Sequence, residues 1–213
     1  MKKPSTKQTW WSTIGITLVL GIIGMFNVDI DWSFGGDDDF STGKPTAIHN
    51  NLAEASLLYS DLFEWMPKLG TVKIVLLRAH DSGTPIPTKS SVVAEVMTDQ
   101  ARPVMNEWSA QKLDGPYIEM LKQLAMTGRI INVTSEMDHG ALKTVYQARG
   151  VDLTDVHLIG ATEDELWYVS IVFQDIPDDF DSTTQRMGPG YEDAVRVGLG
   201  KIRNRLRAMG AIK

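Results

Sequence analysis

The hydrophobic pattern divides the chain into an apolar N-terminal run, a polar segment and a longer region of alternating helices and strands. The residues from Trp10 to Phe26 carry no charge, and the segment after them is rich in Asp and Gly. The pattern therefore predicts four segments: residues 1–9, 10–28, 29–46 and 47–213.

The last segment is predicted to hold five strands and four helices. Apolar, β-rich runs predict strands at residues 71–80, 92–97, 129–134, 155–161 and 166–174. Apolar residues at helical spacing, with glycine or proline stops, predict helices at residues 46–66, 117–126, 141–148 and 191–209. Residues 101–114 are predicted to be irregular. The last two strands are too close in sequence for a crossover connection, so they are predicted to pair as an antiparallel hairpin. This order of elements predicts the α+β class.

The apolar run is predicted to be a transmembrane signal-anchor that contacts a lipid bilayer through Trp10–Val28. Its length is near the lower limit for crossing about 30 Å of hydrocarbon at about 1.5 Å per residue. Lysines precede the run and aspartates follow it. The positive-inside rule then places residues 1–9 in the cytoplasm and the folded region outside, on a cell membrane or a virion membrane.

Two other interpretations of the apolar run remain open. A cleaved signal peptide has the same order of basic and apolar residues, but the following sequence FNVDIDWSFGG offers no small-x-small cleavage site. A buried core helix has a similar length, although lysines followed by Trp10 and Trp11 are unusual at its start. The segment 29–46 is predicted to be an acidic spacer.

Composition limits the classes of function. The chain has no cysteine, which excludes disulfides, thiolate metal sites and a cysteine nucleophile. Its formal net charge is −6, and the basic residues before the apolar run make the folded region more acidic still. An acidic region argues against nucleic acid as a partner. The sequence contains no phosphate-binding glycine motif and identifies no cofactor.

The segment VKIVLLRAHDSG, the strand RIINVTS with the helix ALKTVYQARG, and the strand pair DVHLIGA and LWYVSIVF follow one another in a familiar order. In this order the chain resembles the membrane-tethered GAF-like (PAS/GAF-type) sensory domains of bacteria and phages. The resemblance implies a central antiparallel sheet with a ligand pocket on one face. It also implies that the N- and C-terminal helices pack on the other face and often pair in a dimer. The cysteine used by bilin-binding members is missing, and no cyclic-nucleotide signature is present.

Polar residues near strand ends supply the candidate site. Arg78, His80, Asp81 and Trp167 are predicted to contribute to a ligand pocket on the sheet. A weaker hypothesis is a metal site, because His80, Asp138 and His139 lie at two strand ends that a sheet can bring together. The alternative is that these residues form turns and cap helices.

The C-terminal helix carries a regular apolar stripe. Its positions step by four and three residues, the spacing of a coiled-coil seam, and comprise Val195, Leu199, Ile202, Leu206 and Met209. The stripe predicts either a homodimer through the terminal helices or a core-facing helix within one chain.

Three functions are consistent with the sequence. The first is a membrane-anchored, non-enzymatic binding or sensing domain that faces away from the cytoplasm. It would recognise a small molecule or a membrane or envelope protein. The second is a structural component of a phage virion membrane or of a phage-encoded envelope complex. The third is a metal-dependent hydrolase built on the histidine and aspartate residues.

Overall fold

The computed structural model describes residues 52–80, 87–104, 111–138, 140–162 and 164–213. The predicted anchor, the acidic spacer and the first residues of the predicted first helix lie outside the described residues, as do Asp81 and His139.

The described strands form one antiparallel sheet in the order β3-β2-β1-β6-β5-β4. They are β1 (Lys73–His80), β2 (Lys89–Met97), β3 (Gln111–Lys112), β4 (Arg129–Val133), β5 (Leu153–Ala161) and β6 (Glu165–Phe173). The antiparallel hairpin of β5 and β6 is confirmed. The prediction of an irregular segment at 101–114 is wrong at its end, because β3 pairs there with the first two residues of β2.

The described helices are α1 (Leu52–Leu69), α2 (Gly115–Thr127), α3 (Ala141–Ala148) and α4 (Pro189–Ala208), with a short 3₁₀ helix at Thr134–Glu136. The start of α2 is fixed by Asp114, whose side chain accepts a hydrogen bond from Tyr117 N, and its end by Gly128 in the left-handed conformation. Helix α1 was predicted to stop at Met66, but it continues through Pro67 to Leu69. Both Met66 and Leu69 are buried, and their packing stabilises the last turn.

Helices α1 and α4 cover one face of the sheet. Leu58, Leu62, Ile202 and Leu206 lie almost completely buried in the core between these helices and the sheet. At the helix–helix contact, Arg205 pairs with Asp61 at 2.8 Å and with Glu54 at 3.4 Å. The basic residues of the C-terminal helix are therefore paired in part with acidic residues of α1.

The predicted oligomer seam belongs to this core. Val195, Ile202, Leu206 and Met209 are buried within the chain, and Leu199 packs against the same cluster. The prediction that these residues form a seam between two chains is thus corrected in favour of the core-facing alternative. Helical spacing alone does not distinguish the two, because both require one apolar stripe.

Helices α2 and α3 cover the other face of the sheet. A second buried cluster joins Tyr117, Leu121 and Leu124 of α2 and Leu142 of α3 to the facing side chains of β1, β5 and β6. The α+β class with an antiparallel sheet between helices is confirmed. No described helix is both long enough and apolar enough to cross a membrane.

Candidate ligand-binding site

A pocket lies between the sheet and helices α2 and α3. Its strand side follows from the period-two alternation of β-strands, which turns every second residue to the same face. Lys73, Val75 and Leu77 of β1 and Tyr168 and Ser170 of β6 line the pocket in this way.

Helix α3 supplies the opposite wall. Leu142, Val145 and Tyr146 line the pocket at i, i+3 and i+4, which places them on one face of the helix, and Arg149 lines it just after the end of the helix. The volume of the pocket is about 60 Å³. Apart from a few hydroxyl groups and two cations, its lining is apolar, which is typical of sites for small organic molecules.

Three hydroxyl groups form a buried cluster at the pocket. The Tyr168 hydroxyl oxygen lies 2.8 Å from Ser90 Oγ and 2.8 Å from the Tyr117 hydroxyl oxygen. Burial raises the pKa of both phenols, so they stay protonated and remain able to donate hydrogen bonds. The cluster ties the sheet to α2 and keeps polar groups beside an otherwise apolar cavity.

A second polar group lies at the wall formed by β6 and α3. Ser170 is 6% exposed, and its Oγ makes no hydrogen bond. Burial raises the pKa of the Tyr146 phenol, which lies beside Ser170. Buried polar atoms normally have partners, so an unsatisfied hydroxyl on a pocket wall marks a position for a ligand atom.

The charged residues at the pocket already have partners. Lys73 Nζ forms a buried ion pair with Glu95 at 3.0 Å and also donates to the Arg102 carbonyl. Arg149 donates to the Pro103 carbonyl at 2.7 Å. Both carboxylate oxygens of Glu95 accept from Val104 N at 3.0 Å. These contacts hold residues 102–104 beside the pocket.

Three residues predicted as ligand contacts lie on the other face of the sheet. Arg78 lies over the Trp167 ring at 5.9 Å, and both side chains bind Glu165, at 3.4 Å and 3.0 Å respectively. Trp167 belongs to the core under α1 and α4. His80, also on that face, is 2.9 Å from Ser91 Oγ. The structure brings Arg78 and Trp167 together, but outside the pocket.

The predicted metal ligands are only partly described. Asp138 is exposed, and His139 lies outside the described residues. In the part of the chain that the structure describes, no three His, Asp or Glu side chains are placed to hold a metal ion. Helix α3 is capped by Gly140 without a side-chain hydrogen bond.

Sequence reasoning missed a buried polar network on the face that carries α4. Asp155 is fully buried and accepts two hydrogen bonds from Arg129 and one from Tyr191, each at 2.8 Å. His157 Nε2 lies 2.8 Å from the same carboxylate without hydrogen-bond alignment. Arg129 also binds Glu192 at 2.8 Å, so the network fastens the start of α4 to β4 and β5. In the sequence, the network was indicated by the spacing of Asp155 and His157, because residues two apart on a strand lie on the same face.

Comparison with solved structures identifies proteins of similar architecture. The phycoerythrobilin-bound GAF domain from a cyanobacterial phytochrome is similar, with a TM-score of 0.53, 12% sequence identity, and coverage of 76% of this chain and 89% of that one. The GAF domain of a two-component sensor histidine kinase from Bacillus halodurans also has a TM-score of 0.53, with 8% identity and coverage of 73% and 95%.

The chain has a GAF-like fold. This confirms the fold implied by the resemblance in the sequence, including a sheet with helices on both faces. No protein-family model matches the chain, and no curated protein matches it. At such low identities the similarity establishes the fold alone.

Proposed function

We propose that this protein is a non-enzymatic binding domain of the sensory type, which recognises a small molecule in the pocket between the GAF-like sheet and helices α2 and α3. The observation that carries the proposal is the buried hydroxyl of Ser170, which lines this mostly apolar pocket without a hydrogen-bond partner. The likeness to the GAF domain of a sensor kinase supports a sensory use of the same fold.

The proposal includes attachment to a membrane. The uncharged run within residues 10–28, with lysines before it and aspartates after it, supports a signal-anchor that places the folded region outside the cytoplasm. Such an anchor would present the pocket to molecules in the periplasm or outside the cell. The structural role in a phage envelope and the metal-dependent hydrolase gain no supporting contact among the described residues.

A library screen tests the binding function. The full chain is purified in amphipol, and compounds are ranked by the shift that they cause in its melting temperature. A ligand that binds the folded state raises that temperature by mass action. Hits are then measured against Val145→Phe, in which the larger ring fills the pocket from a half-buried position on α3.

The matched control is Val197→Phe, the same change at an exposed position on α4. We expect hits to lose affinity in Val145→Phe and to keep it in Val197→Phe. A library without hits, or hits that bind Val145→Phe as well as the unmodified chain, would refute the proposal.

A further inference from the structure

We propose that the pocket selects small, uncharged molecules that are apolar except for one hydroxyl or carbonyl group, which hydrogen-bonds to Ser170 beside Tyr146. This inference rests on the proposed binding function and adds the chemical class of the ligand. Three properties of the pocket carry it: an unsatisfied hydroxyl, cations that already have partners, and a small apolar volume.

The unsatisfied hydroxyl sets the polar requirement. Ser170 is buried on β6, and its Oγ has no hydrogen-bond partner although it lines the pocket. A serine hydroxyl both donates and accepts, so either a ligand hydroxyl or a ligand carbonyl can satisfy it. Leaving such a group unpaired costs free energy, which a ligand with a matching atom recovers and a hydrocarbon does not.

The charges at the pocket favour neutral ligands. The lining contains two cations, Lys73 and Arg149. The carboxylate of Glu95 lies 3.0 Å from Lys73 Nζ, and the Arg149 guanidinium donates to the carbonyls of Arg102 and Pro103. An anion would have to compete with these contacts, and a cation would face two positive groups. A buried anion would be well compensated only if Lys73 or Arg149 left these partners, and a buried cation would not be compensated at all, so both are disfavoured.

The volume and the remaining lining of the pocket restrict the size of the ligand. A pocket of about 60 Å³ is smaller than an apolar cavity of about 150 Å³ that holds benzene. A space of this size takes only a few ligand atoms, so the rest of a ring must lie outside it. Val75, Leu77 and Val156 provide the apolar contacts for those atoms.

Three probes of similar size separate the effects of the hydroxyl group, the apolar ring and a negative charge on binding. They are phenol, toluene and benzoate. Their dissociation constants are measured by chemical-shift titration of the full chain in amphipol, with free probe determined by equilibrium dialysis. Phenol is expected to bind about tenfold more tightly than toluene, the equivalent of one neutral hydrogen bond. Benzoate is expected to bind more weakly than either.

The variant Ser170→Ala tests the residue directly. It is expected to remove the preference for phenol over toluene without weakening toluene binding or lowering the melting temperature, because it deletes an unpaired polar group. The exposed Ser56→Ala is the matched control and keeps the preference. A purely structural role for Ser170 would instead change stability and leave the ratio of affinities unaltered.

The outcomes separate this inference from the binding function. Benzoate binding as tightly as phenol, or an unchanged preference in Ser170→Ala, would overturn the selectivity. If library hits of another chemical class lose affinity in Val145→Phe, the binding function stands but the proposed selectivity does not. If no probe and no library compound binds, both proposals fail.

Discussion

The indole ring of Trp65 lies directly against the backbone of Gly198 on the neighbouring helix. A Cβ atom built at position 198 would be 2.1 Å from Cε2 of the indole, a distance that atoms without a bond do not adopt. Trp65 Nε1 donates a 2.9 Å hydrogen bond to the Ala194 carbonyl, one turn earlier on α4. The absence of a side chain at Gly198 is therefore what allows α1 and α4 to pack this closely.

Replacing Gly198 with alanine is expected to lower the free energy of unfolding by about 1–3 kcal/mol, because the indole must move out of its site. Alanine favours a helix by about 1 kcal/mol over glycine, and the expected loss in the free energy of unfolding is the net change after that gain. Unfolding in guanidinium chloride measures this change in the free energy of unfolding. The control is Gly200→Ala on the same helix, where a Cβ meets nothing within 4 Å and stability is expected to rise. Equal stabilities of the two variants would contradict the role assigned to Gly198.

Much of this architecture was predictable from the sequence, because strands such as Lys73–His80 and Glu165–Phe173 are β-rich apolar runs bounded by turns. Their faces were not predictable. Apolar residues fill both sides of β1 and β6, so the pattern does not show which side the long helices cover. The position of Arg78 and Trp167 near strand ends therefore predicted a place in the pocket, but the pocket is on the opposite face.

The pocket itself depends on contacts between distant parts of the chain. Tyr117, Tyr146 and Tyr168 belong to two helices and a strand, and only the tertiary fold brings them to one cavity. Each looks like an ordinary core aromatic in its own segment. An unsatisfied hydroxyl such as that of Ser170 is likewise visible only when its surroundings are known.

Acid sensitivity should depend on Asp155. Burial raises the pKa of this carboxyl group, but His157 and Arg129 outweigh that effect and hold the pKa below its usual value. A lowered folded pKa means that the stabilisation is complete above the unfolded value of about 3.9 and is lost as the pH falls through the folded pKa. We expect the free energy of unfolding to decrease below about pH 4 for this reason.

The variant Asp155→Asn isolates this contribution. At pH 7 it is expected to lose about 3 kcal/mol, the lower end for breaking a buried charge pair, because Arg129 keeps Glu192 as a partner. The difference from the unmodified chain should shrink as the pH falls below about 4 and through the lowered folded pKa, where the native carboxylate also becomes protonated. Urea unfolding at a series of pH values measures this. A difference that already disappears at about pH 4, the unfolded value, would exclude the lowered pKa.

The tyrosines should stay protonated near pH 10 as long as the protein is folded. Burial is the largest cause that raises the pKa of each of the five tyrosines in the chain, which are Tyr59, Tyr117, Tyr146, Tyr168 and Tyr191. For Tyr59, burial and the charge of Glu95 raise the pKa to about 12. Because the folded state holds these protons more tightly, stability is full below the unfolded value of about 10 and falls as the pH rises beyond it.

Absorbance at 295 nm, recorded together with circular dichroism, checks this expectation. The tyrosinate signal should stay small near pH 10 and then rise together with the loss of secondary structure. A gradual rise near pH 10 in a chain that keeps its circular dichroism would show that phenols titrate in the folded state. Tyr168→Phe should retain the joint transition, since the other four phenols remain.

The orientation proposed for the anchor can be tested because the chain has no cysteine. Two variants each introduce one: Ser182→Cys in the exposed loop before α4, and Ser5→Cys in the predicted cytoplasmic tail. A maleimide that does not cross membranes should label Ser182→Cys in intact spheroplasts and label Ser5→Cys only after lysis. This follows from lysines before the apolar run and aspartates after it.

Insertion is tested in the same cells with Leu18→Arg combined with Ile22→Arg. Arginine at the centre of a membrane helix costs about 2.5–3.5 kcal/mol per residue on insertion scales, so the double variant should leave the carbonate-resistant membrane fraction. Leu18→Ala combined with Ile22→Ala should remain in it. The anchor would be refuted if the arginine variant fractionated like the alanine variant. Labelling of both cysteine variants only after lysis would refute the proposed orientation and place the pocket inside the cell.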